Sequence, residues 1–241
     1  MTNFYSEDLA YVHDTGFSNF AEHAAKSIVK TLNAHLNKKG LVVDLGCGSG
    51  VVAKELANNL YQVHGIDSSS SLIEIAKKRV PSGTFVVGSF FDAPIPSCAA
   101  VISTSECLNY LSQDSSHESN LKKLFDQVYG SLQQGGLFIF DMIEPGNRPD
   151  CNHIVEHEDW TMFVHICEDA EINELTRDVT LFRKLDDLYR KNKEVHHVKL
   201  YPHQLIVKWL EGIGFQVSLF QNYNELKLDE HHFGFLCIKP V

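Results

Sequence analysis

The sequence is short of several things that would mark a specialised chain. It has six cysteines in 241 residues, at 47, 98, 107, 151, 167 and 237, and no two form a C-x-x-C pair. That spacing excludes a zinc ribbon or a thioredoxin-like motif. Several cysteines lie in apolar runs, such as Ala100-Val101-Ile102 after Cys98, so buried, reduced thiols and a cytoplasmic location are expected. Cys151, His153 and His157 lack a fourth ligand nearby, so no metal is expected. Basic charge is scarce, with 21 Lys and Arg against 31 Asp and Glu for a net charge of -10. Such a field repels phosphate backbones and anionic membranes, and no block of like charge interrupts it. Neither nucleic acid nor membrane is therefore expected as a partner. No apolar stretch approaches bilayer-spanning length, and the first residues lack the order of a signal peptide. Internal repeats and low-complexity linkers are also missing. These exclusions leave one globular domain over residues 1–241, expected as a monomer or homodimer.

What is present is a rhythm. Residues 17–37 carry Phe20, Ala24, Ile28 and Leu32 on one stripe and predict an amphipathic helix. Short apolar strands follow at 41–45, 62–66, 84–87, 99–103 and 136–141, with helices predicted at 51–60, 71–79 and 118–132. Continuous apolar strands joined by helices imply a buried parallel sheet. After Pro145 the pattern changes. Residues 154–201 alternate threonine, valine, aromatic and charged residues, as in Trp160-Thr-Met-Phe-Val-His-Ile, which predicts antiparallel strands with one wet face. A helix at 203–212 and strands near 215–220 and 232–238 complete the chain. The expected divisions are a helical lid over 1–37, a core over 38–145, a β-rich cap inserted after the fifth strand over 146–201, and a closing segment over 202–241.

The first strand runs into Val42-Val43-Asp44-Leu45-Gly46-Cys47-Gly48-Ser49-Gly50 and then a helix. Glycines there tolerate positive φ and let backbone amides approach a ligand. A dinucleotide fingerprint wants Gly or Ala where Val51 stands, and a P-loop wants Gly-Lys-Ser/Thr. Neither pattern is met. Asp67, after the second strand, is placed to accept both hydroxyls of a ribose.

Together these segments resemble class I S-adenosylmethionine-dependent methyltransferases of the small-molecule type. Val42 to Gly50 is similar to the first motif and Gly65-Ile66-Asp67-Ser68-Ser69 to the second. Gly88-Ser89-Phe90-Phe91-Asp92 is similar to the segment lining the adenine. Ser103-Thr104-Ser105-Glu106-Cys107-Leu108-Asn109-Tyr110 is similar to the motif after the fourth strand. The resemblance implies a Rossmann-like α/β fold, a seven-stranded, mostly parallel sheet with its last strand antiparallel and helices on both faces. It implies S-adenosylmethionine as cofactor and S-adenosylhomocysteine as product. Gly46, Cys47 and Gly48 would approach the methionine end, with Asp44 nearby through water. Asp67 and Ser68 would hold the ribose, and Ser89 and Phe90 would border the adenine, although many members carry an acidic residue at the position of Ser89. Ser105 and Glu106 would face the methionine amine. Tyr5 and His13, in an opening that resembles a family lid, would touch the same end.

Methyl transfer is an in-line displacement on an activated donor, so the protein mainly supplies alignment and a dry site. A base is needed only where the acceptor carries a proton. Glu106, His196 and Arg190 are the expected acid–base groups, His196 and Arg190 sharing strand parity with Glu194. Asn109, Tyr110 and Tyr189 are the expected contacts to a small-molecule acceptor. An Asn-Pro-Pro-Tyr type motif is absent after the fourth strand, which disfavours nucleic-acid bases and protein amides. The alternatives are a non-catalytic cofactor-binding protein on the same fold and an enzyme acting on protein or RNA.

Overall fold

A computed structural model describes residues 5–111 and 117–241. Its helices are α1 (Glu7–Gly16), α2 (Ser18–His35), α3 (Val51–Asn58), α4 (Ser70–Arg79), α5 (His117–Ser131) and α6 (His203–Ile213). Its strands are β1 (Leu41–Leu45), β2 (Gln62–Asp67), β3 (Thr84–Val87), β4 (Cys98–Ser103), β5 (Leu132–Ile143), β6 (Cys151–Glu156), β7 (Trp160–Asp169), β8 (Glu174–Leu185), β9 (Leu188–Lys199), β10 (Gln216–Phe220), β11 (Asn222–Tyr223), β12 (Leu226–Lys227) and β13 (His232–Ile238).

Seven strands form one sheet in the order β10-β13-β5-β4-β1-β2-β3. The pairs β4–β5, β1–β4, β1–β2 and β2–β3 are parallel, and β13 runs antiparallel to both of its neighbours. Alternation along the buried strands divides the core between two faces. Val42, Ile102 and Ile139 meet Ile28 and Leu32 of α2 and Leu56 of α3 on one face. Val43, Val101, Phe138 and Phe140 meet Phe125 of α5 and Leu210 of α6 on the other. Phe140 lies between Phe138 and Phe235, with centroids 4.4 Å from Phe138 to Phe140 and 4.6 Å from Phe140 to Phe235. Burying a phenylalanine contributes about 1.5–3 kcal/mol, so this stack anchors the centre of the sheet.

Strand order reverses at β1, which has β4 on one side and β2 on the other. Ligands of open α/β sheets sit at such a switch point, beyond the carboxyl ends of the strands. Above that edge lies a second, antiparallel sheet, β6-β7-β8-β9. Trp160, Met162, Val179 and Leu181 on its inner face pack on Leu9 and Val12 of α1. Phe163, Tyr189 and Val195 project from the other face and are exposed.

Several boundaries differ from the sequence pattern. The helix expected from residue 17 is preceded by another, because the chain turns at Phe17 and α1 already begins at Glu7. β5 starts at Leu132, ahead of the expected Gly136, with a register shift against β4 near its start. The antiparallel strands start at Cys151, and the β11–β12 hairpin was not anticipated. A two-residue turn joins β8 to β9, with Leu185 facing Leu188 and Asp186 at φ 54°. The first four residues of the expected lid lie outside the described residues.

Candidate cofactor and acceptor cleft

The turn between β1 and α3 forms the floor of a cleft. Gly46, Gly48 and Gly50 have φ of 74°, 52° and 78°. A Cβ on Gly46 would stand 2.6 Å from Cys107 Sγ, so the position demands glycine twice over, for its dihedral and for its neighbour. Around Gly48 nothing lies within 4 Å of such a Cβ, and the space there belongs to the cleft. The amides of Gly46 and Cys47 donate to the Ile66 carbonyl, which ties the turn to β2.

Asp67 closes this end. Its carboxylate accepts the Gly48 amide at 2.9 Å and the Ser69 amide at 2.8 Å, and it lines the cleft. Asp44 is buried beside it, and among the described residues its Oδ2 has no hydrogen-bond partner. Burial, reinforced by the Asp67 charge, pushes the Asp44 carboxyl up to about 7. An orphaned buried carboxylate oxygen is costly, and a cationic ligand group is what would satisfy it.

The facing wall comes from the turn after β4. Ser105 and Glu106 are both left-handed, at φ 64° and 46°. Ser105 lines the cleft, whereas the Glu106 carboxylate turns to Arg177 of β8 at 2.9 Å. Arg177 also donates to Tyr110 Oη at 3.0 Å, and Tyr110 Oη lies 3.4 Å from Tyr5 Oη. Burial works against the Arg177 charge, but Tyr110, Glu106 and Tyr5 beside it more than offset that and keep it charged.

The roof is the start of the chain. Glu194 of β9 accepts the Tyr5 and Ser6 amides and the Ser6 hydroxyl. Ser69 donates to the Tyr5 carbonyl at 2.7 Å. At the far end of α1, Asp14 pairs with Arg79 of α4 at 2.8 Å, and Arg79 also bonds the Ser49 carbonyl in the glycine turn. The same short helix thus touches both sheets. His13 lines the cleft edge-on to Tyr5, and burial pushes its imidazole below the usual range.

Of the residues singled out from sequence, the cleft gathers Tyr5, His13, Asp44, Gly46, Cys47, Gly48, Asp67, Ser68, Phe90, Ser105 and Tyr110. Ser89 stands just outside, its hydroxyl accepting the Phe91 amide at 3.2 Å. His196 is buried behind the rings of Tyr5 and Tyr110 and bonded to Glu194 at 3.0 Å. Three expectations need correction. Asn109 is fully buried and joins the core to β9, since its amide bonds the Ile143 backbone and the Lys199 carbonyl. Arg190 is bound to Asp8 of α1, away from the cleft. Tyr189 is exposed beside the β8–β9 turn, on the outer face opposite Lys184.

Thr104, Asp141 and Arg177 escaped the sequence reading. Each left a trace. Asp141 is the one charged residue in the apolar run Leu137-Phe-Ile-Phe-Asp-Met-Ile, and Arg177 shares parity with the inward Val179 and Leu181. Glu106, Asp141 and His232 also bring ligand atoms within 4.8 Å of one another. Both oxygens of Asp141 are occupied by hydrogen-bond donors, so this group is a hydrogen-bond network rather than a metal cage.

Sheet order, antiparallel final strand and a glycine-floored cleft at the switch point define a class I α/β methyltransferase fold. Residues 42–136 match the family model described as a methyltransferase domain. Over those residues the chain is similar to methyltransferases. A Geobacillus sp. (strain WCH70) protein with a provisional methyltransferase name is 24% identical over 229 residues, covering 88% of this chain and 89% of its own. Among solved structures, an S-adenosylmethionine-dependent methyltransferase from Clostridium acetobutylicum superposes with a TM-score of 0.81 at 17% identity, covering 97% and 98% of the two chains. The S-adenosylmethionine-bound amino pentose methyltransferase CalS10 from Micromonospora echinaspora gives 0.76 at 13% identity, with 99% of each chain covered.

Among the described residues, no helix is long and apolar enough to cross a membrane.

Proposed function

We propose that this enzyme methylates a small molecule held between the sheet edge, α1 and the antiparallel sheet, in the cytoplasm and without nucleic-acid or membrane partners. Residues 38–145 with 202–241 form the cofactor-binding unit, 146–201 the cap and 1–37 the lid. The observation that carries the reading is Asp44 Oδ2, a buried anionic oxygen without a partner beside a glycine floor. It fits the ammonium of a bound amino acid moiety. Asp67 holds the ribose hydroxyls, Ser68 lies beside it and Phe90 borders the adenine. S-adenosylmethionine supplies a methyl group on a sulfonium, already activated for displacement.

The protein's share of the work is alignment, exclusion of water and handling of the acceptor's proton. Tyr5, Tyr110 and His13 wall the end of the cleft where the acceptor sits. His13 is neutral near pH 7 because burial disfavours its cation, and so it can take a proton from an N–H or O–H acceptor. Glu106 acts through Arg177 by fixing Tyr110, and His196 backs the two tyrosine rings. A roofed cleft favours a small acceptor over a polymer, and the amino pentose named for the Micromonospora protein supports that class.

Isothermal titration with S-adenosylhomocysteine tests the placement. The wild-type protein is expected to bind at micromolar concentration, and Asp67→Ala to weaken binding by roughly tenfold to a hundredfold. Equal binding by wild type and variant would remove Asp67 from the site.

A further inference from the structure

The turn that carries Ser105 and Glu106 has a conformation its own sequence does not favour. Two consecutive residues other than glycine are left-handed. Such residues are strained and persist only where their surroundings over-determine them. Here the surroundings converge on one carboxylate. Asp141, at the carboxyl end of β5 and 0% exposed, accepts the Ser105 amide on Oδ2 at 3.1 Å and the Glu106 amide on Oδ1 at 2.7 Å. From the other side Oδ2 accepts the Tyr223 hydroxyl at 2.8 Å and Oδ1 is bonded to His232 Nε2, also at 2.8 Å. Phe20 of α2 stacks on His232 and sits edge-on to Tyr223, fixing both donors.

The peptide plane transmits this arrangement to the cleft. With the Glu106 amide pinned to Asp141, a planar trans peptide turns the Ser105 carbonyl away from Asp141, and Ser105 lines the cleft. The pinned turn also fixes where the Glu106 side chain starts, and Glu106 meets Arg177, which reaches Tyr110. Asp141 does not itself line the cleft.

We propose that Asp141, held from below by Tyr223 and His232, is the positioning residue that locks the Ser105–Glu106 turn in the conformation required by the methionine end of the cofactor. This rests on the cofactor placement proposed above. The carboxylate replaces the glycine that such a turn would otherwise call for. An asparagine cannot replace the carboxylate, because its amide nitrogen would face a donor.

The test compares two probes. S-adenosylhomocysteine reaches both the ribose and methionine ends, whereas 5′-methylthioadenosine lacks the amino acid and engages only the adenosine end. Titration of Asp141→Asn is expected to weaken S-adenosylhomocysteine by about tenfold and to leave 5′-methylthioadenosine within about threefold of wild type. Tyr223→Phe removes one donor of four, and is expected to give about a threefold loss for S-adenosylhomocysteine alone. It decides the matter if Asp141→Asn does not fold. General structural damage would weaken both probes in parallel. A parallel loss, or no loss with either variant, would overturn the role of Asp141. Wild-type protein that bound neither probe would instead overturn the cofactor placement.

Discussion

Two carboxylates a few residues from the glycine floor are held in opposite ways. Asp67 is satisfied by two backbone amides, whereas Asp44 keeps an oxygen without a partner. The difference has a thermodynamic signature. Asp44 is raised to about 7 by burial and then by the Asp67 charge, so near pH 6.5 it is largely protonated in the empty cleft. A cationic ammonium beside it favours the carboxylate. S-adenosylhomocysteine binding at pH 6.5 is therefore expected to release on the order of half a proton. Titrations in two buffers of different ionisation enthalpy measure that release, and Asp44→Asn should abolish it. Buffer-independent heats from the wild type would contradict the assignment. Residues of this kind were legible in the sequence because glycine spacing and a carboxylate at a strand end have few other uses. Asp141 was not, because its partners Ser105, Tyr223 and His232 come from three separate segments that only the folded sheet unites.

At the scale of elements, α1 joins the two sheets. Asp8 accepts bonds from Arg183, Arg190 and Asn192 of the antiparallel sheet, and Asp14 binds Arg79 beside the glycine turn. Burial alone would raise Asp8, yet the two arginines hold its carboxyl below the usual range. Replacing Asp8 by Ala removes the acceptor of four N–H groups on three side chains, with only Glu7 left near Arg190. The expected cost is about 2 kcal/mol, confined to the contact between α1 and β8–β9. Hydrogen exchange should quicken across residues 7–16 while β1, β4 and β5 stay protected; uniform acceleration would mean that α1 is not a separate unit. The parity argument found the inward face of β9, with Glu194 and His196, but not how far along that face the cleft extends. Period-2 alternation specifies a side of a strand and is silent about distance along it. Arg190 therefore shares a face with His196 and serves a different contact.

For the whole molecule, stability should depend on pH from both sides. Asp8, Asp14, Glu168 and Glu194 are each raised by burial and lowered further by arginine, amide, histidine or hydroxyl donors, ending below their usual values. Their contribution is present above the unfolded carboxylate pKa of about 4 and is lost as pH falls through the folded values. His232 runs the other way. Burial lowers it, but the Asp141 hydrogen bond and charge raise it by more. Its contribution is complete below about pH 6.5 and is lost as pH rises through the folded value. The raised Asp44 carboxyl also lowers stability as pH rises, between about pH 4 and 7, where the unfolded chain has lost the proton that the folded one keeps, and adds nothing further above 7. A melting profile from pH 3 to 9 should peak at mildly acidic pH, and Asp44→Asn should flatten the fall between about pH 4 and 7. A Tm that climbs steadily from pH 5 to 9 would contradict this balance. The buried parallel sheet was legible because its strands are continuous apolar runs separated by helices of ordinary length, while its seven strands came from the family resemblance. The separate helix α1 ahead of Phe17 was not, since its buried apolar residues, Leu9, Ala10 and Val12, span barely one turn and set no stripe.

The antiparallel sheet leaves the core after β5 and returns at α6, and Glu144 bonds both the amide and the ring of His203 at that junction. The ends of an excursion of more than fifty residues are thus clasped together. A segment with clasped ends can be exchanged for one of another length or shape without altering the gap the remaining chain must bridge. Evolution, or a protein engineer, can therefore change what enters the cleft from above by replacing one continuous stretch of gene and leaving the floor untouched.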